Sequence, residues 1–66
     1  MKVTVNARAT EIPEQTTISG LKDILRQPHG GVAVAVNGKI VTASDHDSFI
    51  LHNGDDIVLI GAAYGG

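Results

Sequence analysis

Three histidines, His29, His46 and His52, and the run Ser44-Asp45-His46-Asp47-Ser48 supply the side chains best suited to holding a metal ion or moving a proton. Their spacing argues against both roles. No histidine has a second ligand four residues away on a helix, and the polar run crowds its groups onto consecutive residues. Metal sites and catalytic triads gather side chains from separate elements. The run therefore reads as a solvated loop. Asp55-Asp56 could attract a cation, but next to Asn53-Gly54 the pair reads better as the end of a turn. Gly30-Gly31 fits neither phosphate-loop nor dinucleotide spacing and reads as a helix stop. The chain contains no cysteine, which removes thiolate metal sites, disulfides and a cysteine nucleophile.

The remaining group able to do chemistry is the end of the chain. Gly61-Ala62-Ala63-Tyr64-Gly65-Gly66 carries no charged side chain and no secondary-structure signal. Fully extended, this tail would carry its terminal carboxylate up to about 20 Å beyond the body of the protein. Gly65 and Gly66 lack Cβ atoms, so they could pass a narrow channel and lie flat against another protein's backbone. A carboxylate is a poor electrophile. Conversion to an acyl adenylate by ATP would activate it, and that intermediate needs a partner's closed site to exclude water. Tyr64 could anchor such a tail in a partner's pocket, or fold back on the last strand.

A body must present that tail, and the hydrophobic pattern describes one. Lys2–Asn6 alternates apolar and polar residues as a half-buried strand does, and Ala9–Ile12 follows as a second strand of a hairpin. From an N-cap at Thr17, apolar residues at Ile18, Leu21, Ile24 and Leu25 predict one helix, stopped by Pro28 and the two glycines. Gly20 lies in its first turn and no Glu completes a capping box, so the helix must be held by docking on a sheet. Val32–Val36, the Asn37-Gly38 turn and Lys39–Thr42 predict a second hairpin. Phe49-Ile50-Leu51 is an apolar anchor and His52–Asp55 a turn. The last strand, Asp56–Ile60, sets Ile57 and Leu59 on one face and Val58 and Ile60 on the other. A strand apolar on both faces belongs at the centre of a sheet or beneath a partner. The expected architecture is α+β: a mixed sheet of four to five strands, the first and last paired in the middle, with one helix packed on one face. Residues 1–61 form the domain and residues 62–66 the tail.

Composition narrows the function classes. A 66-residue chain is a single domain, and a deep substrate pocket would hollow out much of its core. Val and Ile supply fourteen of the apolar residues, against one Tyr and one Phe, so the core is built by β-branched packing. The five basic residues are scattered singly and the formal net charge is −2, which leaves no basic stripe for nucleic acid. The apolar runs fall far short of the ~20 residues of a membrane helix, and the first residues do not resemble a signal peptide. A cytoplasmic, non-enzymatic protein is the expectation, with no cofactor or metal bound by the chain itself.

The run Val34-Ala35-Val36-Asn37-Gly38-Lys39-Ile40-Val41, then Ile50-Leu51-His52-Asn53-Gly54-Asp55-Asp56-Ile57, and the terminal Gly65-Gly66 resemble the ThiS family of sulfur carriers in thiamine biosynthesis. The resemblance spans essentially the whole chain and implies a ubiquitin-like β-grasp fold. It also implies a mechanism. An E1-like adenylyltransferase of the ThiF type would adenylate the Gly66 carboxylate with ATP, and sulfur from a cysteine-desulfurase relay would replace AMP to give a thiocarboxylate. A thiazole synthase of the ThiG type would then take the sulfur. By the same resemblance Gly65 and Tyr64 belong to the recognised tail, and Val58 and Ile60, on the sheet face away from the helix, form the docking patch. Two departures stand out: His46 occupies a position where many members carry a bulky aromatic, and Tyr64 one where many have a small or aliphatic residue. The small subunit of molybdopterin synthase, a ubiquitin-like protein modifier and an interaction module with an inert tail are the alternatives.

Overall fold

A computed structural model of the chain describes residues 1–27 and 31–61. Two strands, β1 (Lys2–Val5) and β2 (Arg8–Glu11), form the first hairpin, and α1 (Ile18–Ile24) follows. The second hairpin is β3 (Ala33–Val36) and β4 (Lys39–Val41). A single 3₁₀ turn at Ala43–Asp45 leads through a loop to β5 (Asp56–Ile60). The sheet order is β2-β1-β5-β3-β4, with β1 and β5 parallel and the other neighbours antiparallel. The first and last strands thus pair in the interior of the sheet, as the doubly apolar pattern of β5 predicts.

Both hairpin turns use residues at positive φ, the geometry that matches the twist of paired strands. Asn37 (φ 53) and Gly38 (φ 85) form the second. In the first, Asn6 (φ 47) is followed by Ala7 (φ 69), an unusual conformation for a residue with a Cβ. Asn6 has a second task that holds it there. Its Oδ1 accepts from the Leu59 amide at 2.9 Å and its Nδ2 donates to the Leu59 carbonyl at 3.3 Å. The side chain therefore continues the β1–β5 ladder one step after the backbone of β1 has turned away. Asn37 does the same at the other end of β5, accepting from the Asp56 amide at 2.9 Å and donating to the Asp55 carboxylate at 3.0 Å. The other Asp55 oxygen accepts from the His52 amide at 2.8 Å, which closes the predicted turn.

The core lies between the sheet and α1. Val3, Val5, Val34, Val36, Ile57 and Leu59 come from the strands, Ile18 and Leu21 from the helix, and Ile12, Val32 and Leu51 from the connections. The hydroxyl of Thr17 caps α1 by accepting from the Gly20 amide at 3.1 Å. The two preceding amides, which a helix leaves without internal partners, donate to the loop before β5: Ile18 to the Phe49 carbonyl at 3.1 Å and Ser19 to the His46 carbonyl at 3.0 Å. The helix is docked through its end as well as its face.

Two sequence expectations are corrected here. The helix stripe includes Leu25, which packs half-buried on the core, but Ile24 is 48% exposed. The inward positions are 18, 21, 22 and 25, the regular three-and-four spacing of one helical face, and the slot at 22 holds a lysine. Lys22 is 1% exposed. Within the run around His46, Ser44, Asp45, Asp47 and Ser48 are exposed as a solvated loop requires, but His46 itself is 3% exposed and faces Lys22. The predicted helix stop at Pro28 and Gly30 lies outside the described residues. Within them the helix ends at Ile24, and Arg26 turns back through a positive φ of 58°.

Candidate functional site

The site begins where β5 ends. Alternation along β5 buries Ile57 and Leu59 against the helix and turns Val58 and Ile60 outward, 39% and 55% exposed. Register extends this outward face across the next two strands. Ala35 lies opposite Val58, Ala33 opposite Ile60, and Ile40 of β4 opposite Ala35. Cross-strand partners share a face, so Ile40, Val58 and Ile60 form one apolar patch floored by two alanines. Ile40 is 63% exposed, the most exposed large apolar side chain among the described residues. On the other side of β5 the same face turns polar, with Asp56 opposite Thr4 and Lys2 opposite Glu11. The patch is therefore bounded, and it reaches the end of β5.

Val58 and Ile60 stand where the sequence expectation set them. Ile40 escaped it, although the signal was present: the Asn37-Gly38 turn fixes the β3–β4 register, and that register turns residue 40 to the same side as 35 and 58. Gly61 continues the chain past the 31–32 loop at close quarters. A Cβ on it would sit 3.0 Å from the Gly31 carbonyl oxygen and 3.2 Å from Val32 Cγ2, so a side chain here would press on the loop. Tyr64, Gly65 and Gly66 lie outside the described residues, as does His29.

A groove of about 380 Å³ opens beside the end of β5. Val32, Ala33, Ile40, Val41, Ala43 and Ile60 line it, and His46 contributes to its wall. A larger concavity of about 570 Å³ is bordered by Met1, Glu14, Phe49, Leu51 and His52 among others. The two share no residue, and only the smaller touches the end of β5.

The wall of the smaller groove is held by a polar contact that the sequence reading missed. Lys22 Nζ lies 2.7 Å from His46 Nδ1, and His46 Nε2 lies 2.8 Å from the Val41 carbonyl oxygen. A carbonyl can only accept, so Nε2 carries the hydrogen and Nδ1 accepts from lysine. Alongside, the Ser19 hydroxyl donates to the Asp47 carboxylate. Helix, β4 and the loop before β5 are thereby tied together. The available sequence signal was the charged residue in the i+4 slot of an apolar helical stripe. Its partner, twenty-four residues away, is legible only in the fold. No group of three or more His, Cys, Asp or Glu side chains is arranged to hold a metal ion among the described residues. Nor is any described helix long and apolar enough to cross a membrane.

A five-stranded mixed sheet with one helix across one face defines a ubiquitin-like β-grasp domain. The chain belongs to the ThiS family, a family of sulfur carriers, whose model matches residues 3–66. Among solved structures it is similar to the crystal structure of the thiamine biosynthesis protein ThiS from Geobacter metallireducens, with a TM-score of 0.84, 23% identity and complete coverage of both chains. It is also similar to the solution structure of a thiamine biosynthesis protein from the same organism, with a TM-score of 0.81 and 23% identity over all of this chain and 88% of that one. At that identity the likeness speaks for the fold. No curated protein matches the sequence.

Proposed function

We propose that this chain is a cytoplasmic, non-catalytic sulfur carrier whose working group is the carboxylate of Gly66. In this reading residues 1–61 are the docking body and residues 62–66 the segment delivered to partners. An E1-like adenylyltransferase of the ThiF type docks on the patch of Ile40, Val58 and Ile60 and takes the tail into its own site. There the carboxylate oxygen attacks the α-phosphate of ATP and pyrophosphate leaves, which converts a poor electrophile into an acyl adenylate. The terminal sulfur of a persulfide on a cysteine-desulfurase relay displaces AMP to give an acyl disulfide, and a second thiol cleaves its S–S bond, leaving the thiocarboxylate on Gly66 and a disulfide on the donor side. A thiazole synthase of the ThiG type accepts that sulfur into the thiazole of thiamine and returns the carboxylate. ATP belongs to the activating partner, and the chain itself binds no cofactor.

One observation carries the reading: the family match continues to residue 66, the second glycine of the tail. The exposed patch at the tail root supports it, because a carrier with its chemistry at a terminus needs a separate surface by which enzymes recognise it. The test is intact mass after co-expression with the activating enzyme and sulfur donor. The expected product has one oxygen replaced by sulfur, confined to the C-terminal residue. Deleting Gly66, or adding one alanine after it, should abolish the change. A mass gain that survives either edit would refute the assignment of the reactive atom.

A further inference from the structure

Alternate residues of a strand turn their backbone groups to opposite neighbours, and on the β1 side of β5 the series is Asp55, Ile57, Leu59. Backbone meets the first two. The Asp55 carbonyl accepts from the Thr4 amide and the Ile57 carbonyl from the Asn6 amide, each at 2.9 Å. Strand β1 has ended at Val5, and at Asn6 the chain turns away through a φ of 47°. Leu59 is met instead by the Asn6 side chain, through its amide at 2.9 Å and its carbonyl at 3.3 Å. A primary amide suits this task because it carries an acceptor and a donor on one planar group, as a peptide does. On the β3 side, backbone register sets Val58 opposite Ala35 and Ile60 opposite Ala33. Gly61 follows, close against the Gly31 carbonyl and Val32. The end of β5 is thus gripped by backbone from β3 and, among the described residues, by the Asn6 side chain from the side of β1.

We propose that Asn6 is a positioning residue for recognition by the activating enzyme: by clamping Leu59 it keeps the end of β5 in the sheet and presents Val58 and Ile60 already ordered. Those two residues flank Leu59 and supply two of the three large side chains of the exposed patch. Without the clamp, the last residues of β5 are bound on one side, and a partner must order them as it docks. That cost falls on binding and not on the chemistry that follows, so it appears in KM and leaves kcat alone. The purpose rests on the carrier reading, but the clamp itself is tested on the isolated chain, where no sulfur chemistry takes part.

Asn6→Gly removes the clamp and keeps a residue that adopts positive φ without strain. Amide hydrogen exchange compares Leu59, Val58 and Ile60 with Thr4, whose bond to Asp55 lies on the same ladder before β5 begins. Leu59 should lose its protection, and Val58 and Ile60 should exchange about tenfold or more faster relative to Thr4, the mark of local opening. In ATP–pyrophosphate exchange catalysed by the activating enzyme, KM for the variant chain should rise about threefold or more, as for a surface ordered about a third of the time or less. Its kcat should stay as in the wild type. Should Asn6→Gly fail to fold, Asn6→Asp gives both readings with smaller rises, since at neutral pH it keeps the acceptor for the Leu59 amide and loses the donor to its carbonyl. Exchange at Val58 and Ile60 that merely follows Thr4 would overturn the proposal. So would an unchanged KM, or a fall in kcat with KM intact. A wild-type chain that supports no pyrophosphate exchange would instead reject the carrier reading, with the clamp still decided by hydrogen exchange.

Discussion

Removing the ring of His46 should cost this domain a large share of its stability, and removing Lys22 at the same time should return part of it. In His46→Leu, Lys22 Nζ loses the nitrogen that accepts its hydrogen bond at 2.7 Å, inside a site where the lysine is 1% exposed. A hydrogen bond involving a charged group contributes about 1.5–3 kcal/mol, and the Val41 carbonyl, losing its donor, adds about 1 kcal/mol. The expected loss is therefore about 2.5–4 kcal/mol. A domain of this length has a total stability of roughly 3–10 kcal/mol. At about 4–8 °C per kcal/mol for a small domain, the melting temperature should fall by about 10 °C or more. Lys22→Met removes the other partner and leaves Nδ1 without a donor, at about 1–3 kcal/mol. The double variant Lys22→Met/His46→Leu contains neither the stranded Nζ nor the stranded Nδ1, although the Val41 carbonyl still lacks its His46 donor, and an apolar pair often replaces a buried polar one at little cost. Urea unfolding followed by far-ultraviolet circular dichroism measures all four corners of the cycle. Whatever else Lys22 touches is lost on both legs that remove it and cancels in the coupling term. The double variant should be more stable than the sum of the single losses by about 1.5–3 kcal/mol. Additivity within about 0.5 kcal/mol would mean that the two side chains do not stabilise one another, and the account of how the 42–49 loop is held would be wrong.

Other outcomes follow from the same structure. Val58→Asp, on the exposed face of β5, should leave the far-ultraviolet spectrum intact and weaken binding to the activating enzyme by tenfold or more, about 1.4 kcal/mol, in a titration calorimeter. An unfolded variant would instead mean that this face is core. Thr17→Ala should lower stability by about 1 kcal/mol through loss of the cap on the Gly20 amide, read as a shift in the urea midpoint with unchanged slope. The α-amino group of Met1 donates to the Ile12 carbonyl at 2.7 Å and faces Glu14 at 3.2 Å and Glu11 at 3.4 Å. Its pKa is raised above the ordinary 8.0, chiefly by the Glu14 carboxylate, against an opposing effect of desolvation. A pKa higher in the folded than in the unfolded chain gives stability that is complete below about pH 8 and fades as pH rises through the raised value. Acetylating the amine should therefore lower the melting temperature at pH 6 and have less effect at pH 10. An equal shift at both values would exclude this linkage.

Much of the architecture was legible in the sequence because it depends on short-range rules. Alternation in Lys2–Val5 and Asp56–Ile60, the Asn37-Gly38 turn, the threonine cap and the helical spacing of Ile18 and Leu21 each specify a local conformation, and those conformations agree with one another. The candidate site was legible in the same way as far as Val58 and Ile60, since period two alone assigns their face. The doubly apolar last strand even indicated its own central place. Where local rules met a residue of the wrong polarity, they misled. A lysine in the buried stripe led to Ile24 as the inward residue, and a buried histidine among exposed serines and aspartates was read as solvated with them.

What only the tertiary structure decided is who pairs with whom over long separations. A buried lysine is intelligible once His46 is seen 2.7 Å from it, and that proximity depends on how the loop after β4 returns to the helix. Ile40 becomes part of a surface, rather than one exposed isoleucine, when β3 sets it beside Val58 through Ala35. The physical reason is common to both. Backbone preference and hydrophobic period act over a few residues, whereas satisfying a buried polar atom or assembling a patch draws on residues that the chain brings together only after it has folded.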